Sequence, residues 1–180
     1  AAPSPPSPYL LVLGTAQDGG YPQIACRQPL CEAARSNENL ARHVVSGLIV
    51  DPAADRRWLI DASPDLRAQV ELARGHGGPA ANEAGRPPLF DGILLTHAHT
   101  GHYTGLIHLG REVLNATGVE VYALRGMKAF LENNLPWKEL VDGKNIKLRL
   151  TEPAQYLDLS PGAAWAPAWR SPCCSYLSRL

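Results

Sequence analysis

The 180-residue chain carries 17 basic and 17 acidic side chains, a formal net charge of zero, and is 45% hydrophobic and 19% charged, the proportions of one ordinary globular domain. That balance removes the electrostatic warrant for nucleic acid or an anionic membrane surface as a bulk partner. No apolar run approaches the roughly 20 residues that cross a bilayer, so a small-molecule substrate is expected, with no nucleic acid and no membrane.

Residues 1–8 form a proline-rich leader that favours extended, solvated backbone. A small-residue leader lacking an initiating methionine is the pattern left by a removed export signal, so a periplasmic or secreted location is expected, the cytoplasm being the alternative. Residues 9–13 are a short apolar run stopped by Gly14 and read as a buried strand. A loop punctuated by Gly19, Gly20 and Pro22 follows, then a helical stretch over 31–41. Runs at 43–50 and 58–61, separated by a polar turn at 51–56, predict a hairpin. Ser63-Pro64-Asp65 carries a helix start, with hydroxyl cap, proline and first-turn carboxylate in order, and the helix should end near Gly75. Residues 75–88, rich in Gly, Pro, Ala and Asn, read as a surface loop.

Residues 92–96 form a continuous apolar strand leading into a histidine cluster, followed by helical spacing over 103–114. A strand at 119–123, a helix at 127–134, a proline-started turn at 136–140, and alternating strands at 145–151 and 156–159 complete the pattern. Alternating strands and helices after a hairpin predict an α/β sandwich. Residues 161–180 show neither period, so the chain divides into a leader at 1–8, a domain at 9–160 and an irregular tail at 161–180. The four cysteines, Cys26, Cys31, Cys173 and Cys174, allow three pairings. An oxidising compartment favours a disulfide between Cys26 and Cys31, a reducing one free thiols or metal ligands.

The chemistry concentrates at His97, His99 and His102, on the loop between a buried strand and a helix. With six histidines in the chain, this spacing arises by chance about 0.006 times. In extended backbone residues 97 and 99 point the same way, and a turn at Thr100-Gly101 brings 102 beside them. Neutral imidazoles are zinc ligands, and carboxylates commonly complete such sites. His43 opens a strand, His76 lies in a glycine loop and His108 on a helix, and each reads as structural or solvated.

The run His97-Ala98-His99-Thr100-Gly101-His102 resembles the His-x-His-x-Asp-His motif of the metallo-β-lactamase superfamily. The stretches Leu13-Gly14-Thr15-Ala16-Gln17-Asp18-Gly19-Gly20-Tyr21-Pro22-Gln23, Trp58-Leu59-Ile60-Asp61-Ala62-Ser63-Pro64-Asp65-Leu66-Arg67 and Gly110-Arg111-Glu112 are similar to the branch containing coenzyme PQQ synthesis protein B. The resemblance covers about residues 9–159. It implies an αββα sandwich, represented by its N-terminal half and part of the second. It also implies that His97 and His99 ligate a first metal and His102 a second, so that one or two zinc ions, or iron, are the expected cofactors. Asp61 matches the active-site carboxylate that ends an early strand and orients a ligating imidazole.

Three departures stand out. Gly101 replaces the family aspartate and offers no donor atom. Gln28 stands where the branch often has a third cysteine, leaving Cys26 and Cys31. The remaining family ligands, two histidines and a bridging aspartate, come from a second half of the fold that residues 161–180 do not resemble. A truncated or out-of-frame end is the hypothesis for that loss of pattern, and sequencing an open frame through a true stop after Leu180 would remove it. The expected activity is metal-dependent hydrolysis of an ester, lactone, amide or phosphodiester. The alternatives are an iron-dependent oxidative step in quinone-cofactor synthesis, or an inactive metal-binding fragment whose uncovered sheet face drives homo-oligomerisation.

Overall fold

The computed structural model describes residues 7–77, 89–160 and 163–165. Residues 1–6 of the leader, 78–88 of the expected loop, Cys173, Cys174 and most of the tail lie outside the described residues.

A six-stranded mixed sheet runs in the order β1-β2-β3-β4-β5-β6. Its members are β1 (Tyr9–Gly14), β2 (Ser46–Asp51), β3 (Arg56–Ile60), β4 (Gly92–Leu94), β5 (Val119–Leu124) and β6 (Ile146–Thr151). The β1/β2 and β2/β3 pairs are antiparallel, and from β3 to β6 every pair is parallel. The β2–β3 hairpin is the one expected. Asp51 Oδ1 accepts from Ala53 N (3.0 Å) and Ala54 N (3.2 Å), a side-chain-built turn that Asp55 closes at φ 51°.

Parallel neighbours need crossovers, and helices provide them. They are α2 (Leu66–Leu72) before β4, α3 (Thr100–Tyr103) with a 3₁₀ segment (Thr104–Leu109) before β5, and α4 (Arg125–Asn133) with α5 (Trp137–Asp142) before β6; α1 (Pro29–Ser36) lies ahead of β2. Period-two alternation sends Leu48, Val50, Leu59, Ile93 and Val121 into the main core, where Leu66, Leu106, Leu109, Leu131 and Leu140 meet them. The opposite face gathers Trp58, Leu94 and Leu159 with Ile49, Ile60, Tyr122 and Leu157. Leu157 and Leu159 come from β7 (Leu157–Ser160), paired antiparallel with β8 (Ala163–Trp165) in a separate two-stranded sheet. The α/β layering is therefore the one expected. The small second sheet covers only part of the outer face, and on edge strand β1 Leu10 and Val12 remain 57% and 60% exposed.

Several local expectations are corrected. The predicted helix over 31–41 is shorter, because Asn37 is extended at φ −141° and its side chain accepts from Asn39 N to start a 3₁₀ turn. Ser63 does not cap α2 directly. Its hydroxyl accepts from Asp65 N (3.1 Å), and the Asp65 carboxylate is drawn instead to Val44 N (2.8 Å), so the helix begins at Leu66. The stretch 103–114 is not one helix. Gly105 N donates to Ala62 O (2.9 Å), and a Cβ at Gly105 would lie 2.0 Å from Ser63 O, so the chain passes against residues 62–63 with a tighter winding. Within the tail read as irregular, Ala163–Trp165 is a strand. Among the described residues no helix is long and apolar enough to cross a membrane.

Candidate metal centre

In an open α/β sheet, ligands gather beyond the carboxyl ends of parallel strands. Here β3 and β4 are in parallel register with Ile60 beside Leu94, so the residues that follow them, Asp61 and 95–99, emerge at one edge. Asp61 N donates to Leu94 O (3.0 Å), Leu95 N to Tyr122 O (2.9 Å) and Ala62 N to His102 O (2.9 Å), which ties the end of β3 to both ends of the histidine loop.

Asp61 is buried and sits at φ 60°, the left-handed region that costs a non-glycine residue about 1–2 kcal/mol. The strain aims its carboxylate across to the loop. Oδ1 accepts from Thr96 N (2.8 Å), and Oδ2 accepts from Thr96 Oγ1 (2.7 Å) and from His102 Nδ1 (2.7 Å). The Asp61 side chain is only 5% exposed, and both of its oxygens are taken up by these donors. Thr96 went unnoticed in the sequence, because a threonine ending an apolar strand looks like any β-branched strand residue.

Those contacts fix the imidazoles. Thr96 gives its single hydroxyl hydrogen to Asp61, so the 2.9 Å contact between Thr96 Oγ1 and His97 Nδ1 needs the hydrogen on Nδ1. His97 Nε2 then carries the lone pair and accepts a hydrogen bond from His99 Nδ1 (3.1 Å), a hydrogen that a metal ion bound to both nitrogens would displace. Two nitrogens bound to a tetrahedral zinc at 2.0–2.1 Å are about 3.3 Å apart, so this pair has the span of a two-histidine ligand set. Burial, and next the neighbouring His102, lower the pKa of His97 and favour the neutral, ligating form. His102 likewise donates from Nδ1 to Asp61, which in the neutral ring puts the lone pair on Nε2.

The three rings are brought together, His97 lying 4.7 Å from His99 and 3.9 Å from His102 by ring centroids. They do not surround one point. Among the described residues no three His, Cys, Asp or Glu side chains form a ready cage for a metal ion. His102 Nε2 faces away from the pair toward Asp18 Oδ1, at 3.7 Å. Asp18 belongs to the stretch that carries the resemblance without a role of its own, and nothing periodic connects it with residues 101 and 102.

The other histidines have local roles: His76 Nδ1 pairs with Tyr9 OH (3.0 Å), His108 Nδ1 with Gly105 O (3.0 Å), and His43 with Asp65 (3.6 Å). Cys26 and Cys31 are free thiols, so the disulfide expected of an oxidising compartment is not formed. Their mutual hydrogen bond lowers the pKa of Cys26 and raises that of Cys31. Gly19, Gly20 and Tyr21 line, with Arg42, His43 and Asp65, an open groove of about 500 Å³.

Comparison with known proteins agrees with this architecture. The family model for the β-lactamase superfamily domain matches residues 56–165. Coenzyme PQQ synthesis protein B of Methylorubrum extorquens strain PA1 is 33% identical over 127 residues, 70% of this chain and 40% of that protein. The protein of the same name from Rhodopseudomonas palustris strain TIE-1 is 38% identical over 101 residues, 56% of this chain and 32% of its own length. Among solved structures, Zn(2+)-bound PqqB from Methylobacterium extorquens superposes with a TM-score of 0.72 at 27% identity, over 86% of this chain and 50% of that one. A diphosphatase of the PhnP family shares the fold at a TM-score of 0.59 and 21% identity, over 84% of this chain and 53% of that one. The chain thus spans about two fifths of the first of these curated relatives and half of the zinc-bound neighbour. The fold and the zinc-bound neighbour together support a metal cofactor. With its strand-end histidine loop, mixed sheet and matched domain model, the chain belongs to the metallo-β-lactamase superfamily and resembles PQQ synthesis protein B within it.

Proposed function

We propose that the chain carries the N-terminal metal-binding part of a metal-dependent hydrolase, with zinc as the ion its nitrogen donors suit and a small-molecule ester, lactone, amide or phosphodiester as substrate. The observation that carries this reading is the His97 Nε2–His99 Nδ1 pair at 3.1 Å, with the His97 tautomer set by Thr96 and Asp61. His97 and His99 would hold the first cation and His102 would reach a second. Held there, a divalent cation would supply Lewis-acid polarisation of the scissile bond and activation of water near neutral pH. The chain's own residues do the rest: Thr96 and Asp61 hold the orientations of the His97 and His102 rings.

Metal content by mass spectrometry, run on wild type and on His97→Ala and His99→Ala, tests the reading alongside turnover of chromogenic phosphodiester and ester substrates. The expected result is a transition metal in wild type that both variants lose. A folded wild-type chain that takes up no metal ends the proposal. The 33% identity to PQQ synthesis protein B favours one other reading, an iron-dependent oxidative step in quinone-cofactor synthesis. Bound iron together with oxygen consumption, and no hydrolysis, would replace the first reading by the second.

A further inference from the structure

We propose that Asp18, on the loop after β1, supplies the carboxylate that the family places at position 101, and with His102 forms the ligand pair of the second cation. The inference rests on the metal-centre reading above and names a ligand that its motif lacks.

Gly101 is buried, and the space its side chain would fill is already taken. A Cβ built there would lie 2.3 Å from Asp18 Oδ1, 2.8 Å from Asp18 Cα and 3.0 Å from Val44 Cγ1. The glycine is therefore the counterpart of the aspartate: two carboxylates cannot occupy this volume, and the chain has kept the one that arrives from residue 18. Asp18 Oδ1 accepts from Gly101 N (2.9 Å), which locks it against the loop.

The same oxygen lies 3.7 Å from His102 Nε2. With Nδ1 paired to Asp61, the neutral ring that a metal ligand requires presents its Nε2 lone pair to a carboxylate oxygen, whereas a protonated ring makes the same contact an ion pair. In the neutral form two acceptors face each other across a gap too long for a hydrogen bond. A cation between them satisfies both, and a nitrogen and an oxygen on a tetrahedral zinc are about 3.4 Å apart. The Asp18 side chain is 39% exposed, so an ion has a path to the gap.

The loop is anchored well enough to hold a ligand. Thr15 N and Ala16 N both donate to His43 O (3.0 and 2.9 Å), and Val45 N donates to Ala16 O (2.8 Å). Gly20 N closes the turn onto Gln17 O (2.8 Å), while Tyr21 and Arg42 exchange backbone hydrogen bonds. Asp18 thus hangs from a strand-like pairing with residues 42–45, the segment that also supplies Val44 to the wall of the Gly101 pocket.

A purely structural Asp18, present only to accept from Gly101 N, would be replaced without loss by asparagine, whose side-chain oxygen accepts the same bond. The test is a Co²⁺ titration of the metal-free 180-residue chain, read by visible absorption and by Zn²⁺ competition. Wild type is expected to show two classes of binding. Asp18→Asn should weaken the second class at least about tenfold while the circular dichroism and thermal midpoint of the metal-free chain stay put. Unchanged two-class binding in Asp18→Asn overturns the proposal, as does a single class in wild type. If His97→Ala removes the first class while Asp18→Asn leaves the second intact, the metal centre survives and only the role of Asp18 falls. If wild type binds no Co²⁺, both fall.

Discussion

The two arms of the centre are built by different means. His97 and His99 stand two residues apart on one extended segment, and only that spacing and a threonine are needed to bring Nε2 and Nδ1 to 3.1 Å. His102 depends on Asp61, 41 positions away, for its orientation, and faces Asp18, 84 positions away in the chain. The first arm is local and solvent-facing; the second is tertiary, with His102 only 13% exposed. A ligand pair that needs little of the fold can be damaged one residue at a time, whereas one assembled from three segments fails whenever any of them shifts.

The largest effect should come from Asp61→Ala. It leaves Thr96 N–H, the Thr96 hydroxyl and the His102 Nδ1–H without their acceptor in a buried place, a loss of about 3–5 kcal/mol in urea unfolding. Asp61→Asn should keep the fold far better yet still weaken metal affinity about 10–100-fold, because the orienting charge behind His102 is gone. Equal stability of wild type and Asp61→Ala would show that the second arm is not held as described.

Gly105→Ala comes next. The added methyl group would meet Ser63 O at 2.0 Å, and pushing residues 102–105 away from 62–63 should cost about 2–3 kcal/mol and displace His102 more than His97. NMR of the imidazole signals, with and without Zn²⁺, checks which arm moves; a shift confined to His97 and His99 would contradict the comparison. Thr96→Val touches both arms at once, since it deletes the hydroxyl shared by Asp61 and His97 while preserving shape. It should cost about 1–2 kcal/mol of stability and release the His97 tautomer, measurable as a change in its nitrogen chemical shifts.

The smallest effect belongs to a control far from the centre. Arg149 pairs with Glu120 across β5 and β6, and that contact holds the Glu120 carboxyl below its ordinary value. A depressed carboxyl contributes stability that is present above its unfolded-state pKa and is lost as pH falls through the folded one. Arg149→Ala should therefore cost little stability at pH 7, the side chains being 43% and 31% exposed, and the difference from wild type should vanish in acid. Metal binding should be unaffected, which separates general destabilisation from loss of an arm.

The strands, the hairpin and the histidine loop were legible because each is a local pattern. Apolar alternation in Leu48, Val50, Leu59 and Ile93 reads directly as one buried face, and the three histidines that follow a strand do come together in space. The helix after the loop was misread for a physical reason: the spacing of Leu106 and Leu109 is compatible with an α-helix, but Gly105 must lie against two backbone carbonyls, and no property of the residues nearby says so. Asp18 was hidden in the same way, as one polar residue in a turn rich in glycine.

The sequence by itself determined that three imidazoles follow a buried strand at close spacing, since residue type and strand periodicity are properties of short segments. Only the tertiary structure decided which partners hold the His97 and His102 rings, and which carboxylate stands against Gly101. Those outcomes depend on hydrogen bonds and excluded volume between residues more than 30 positions apart, 35 between Asp61 and Thr96 and 83 between Asp18 and Gly101, and such contacts exist only once the sheet has brought the segments together.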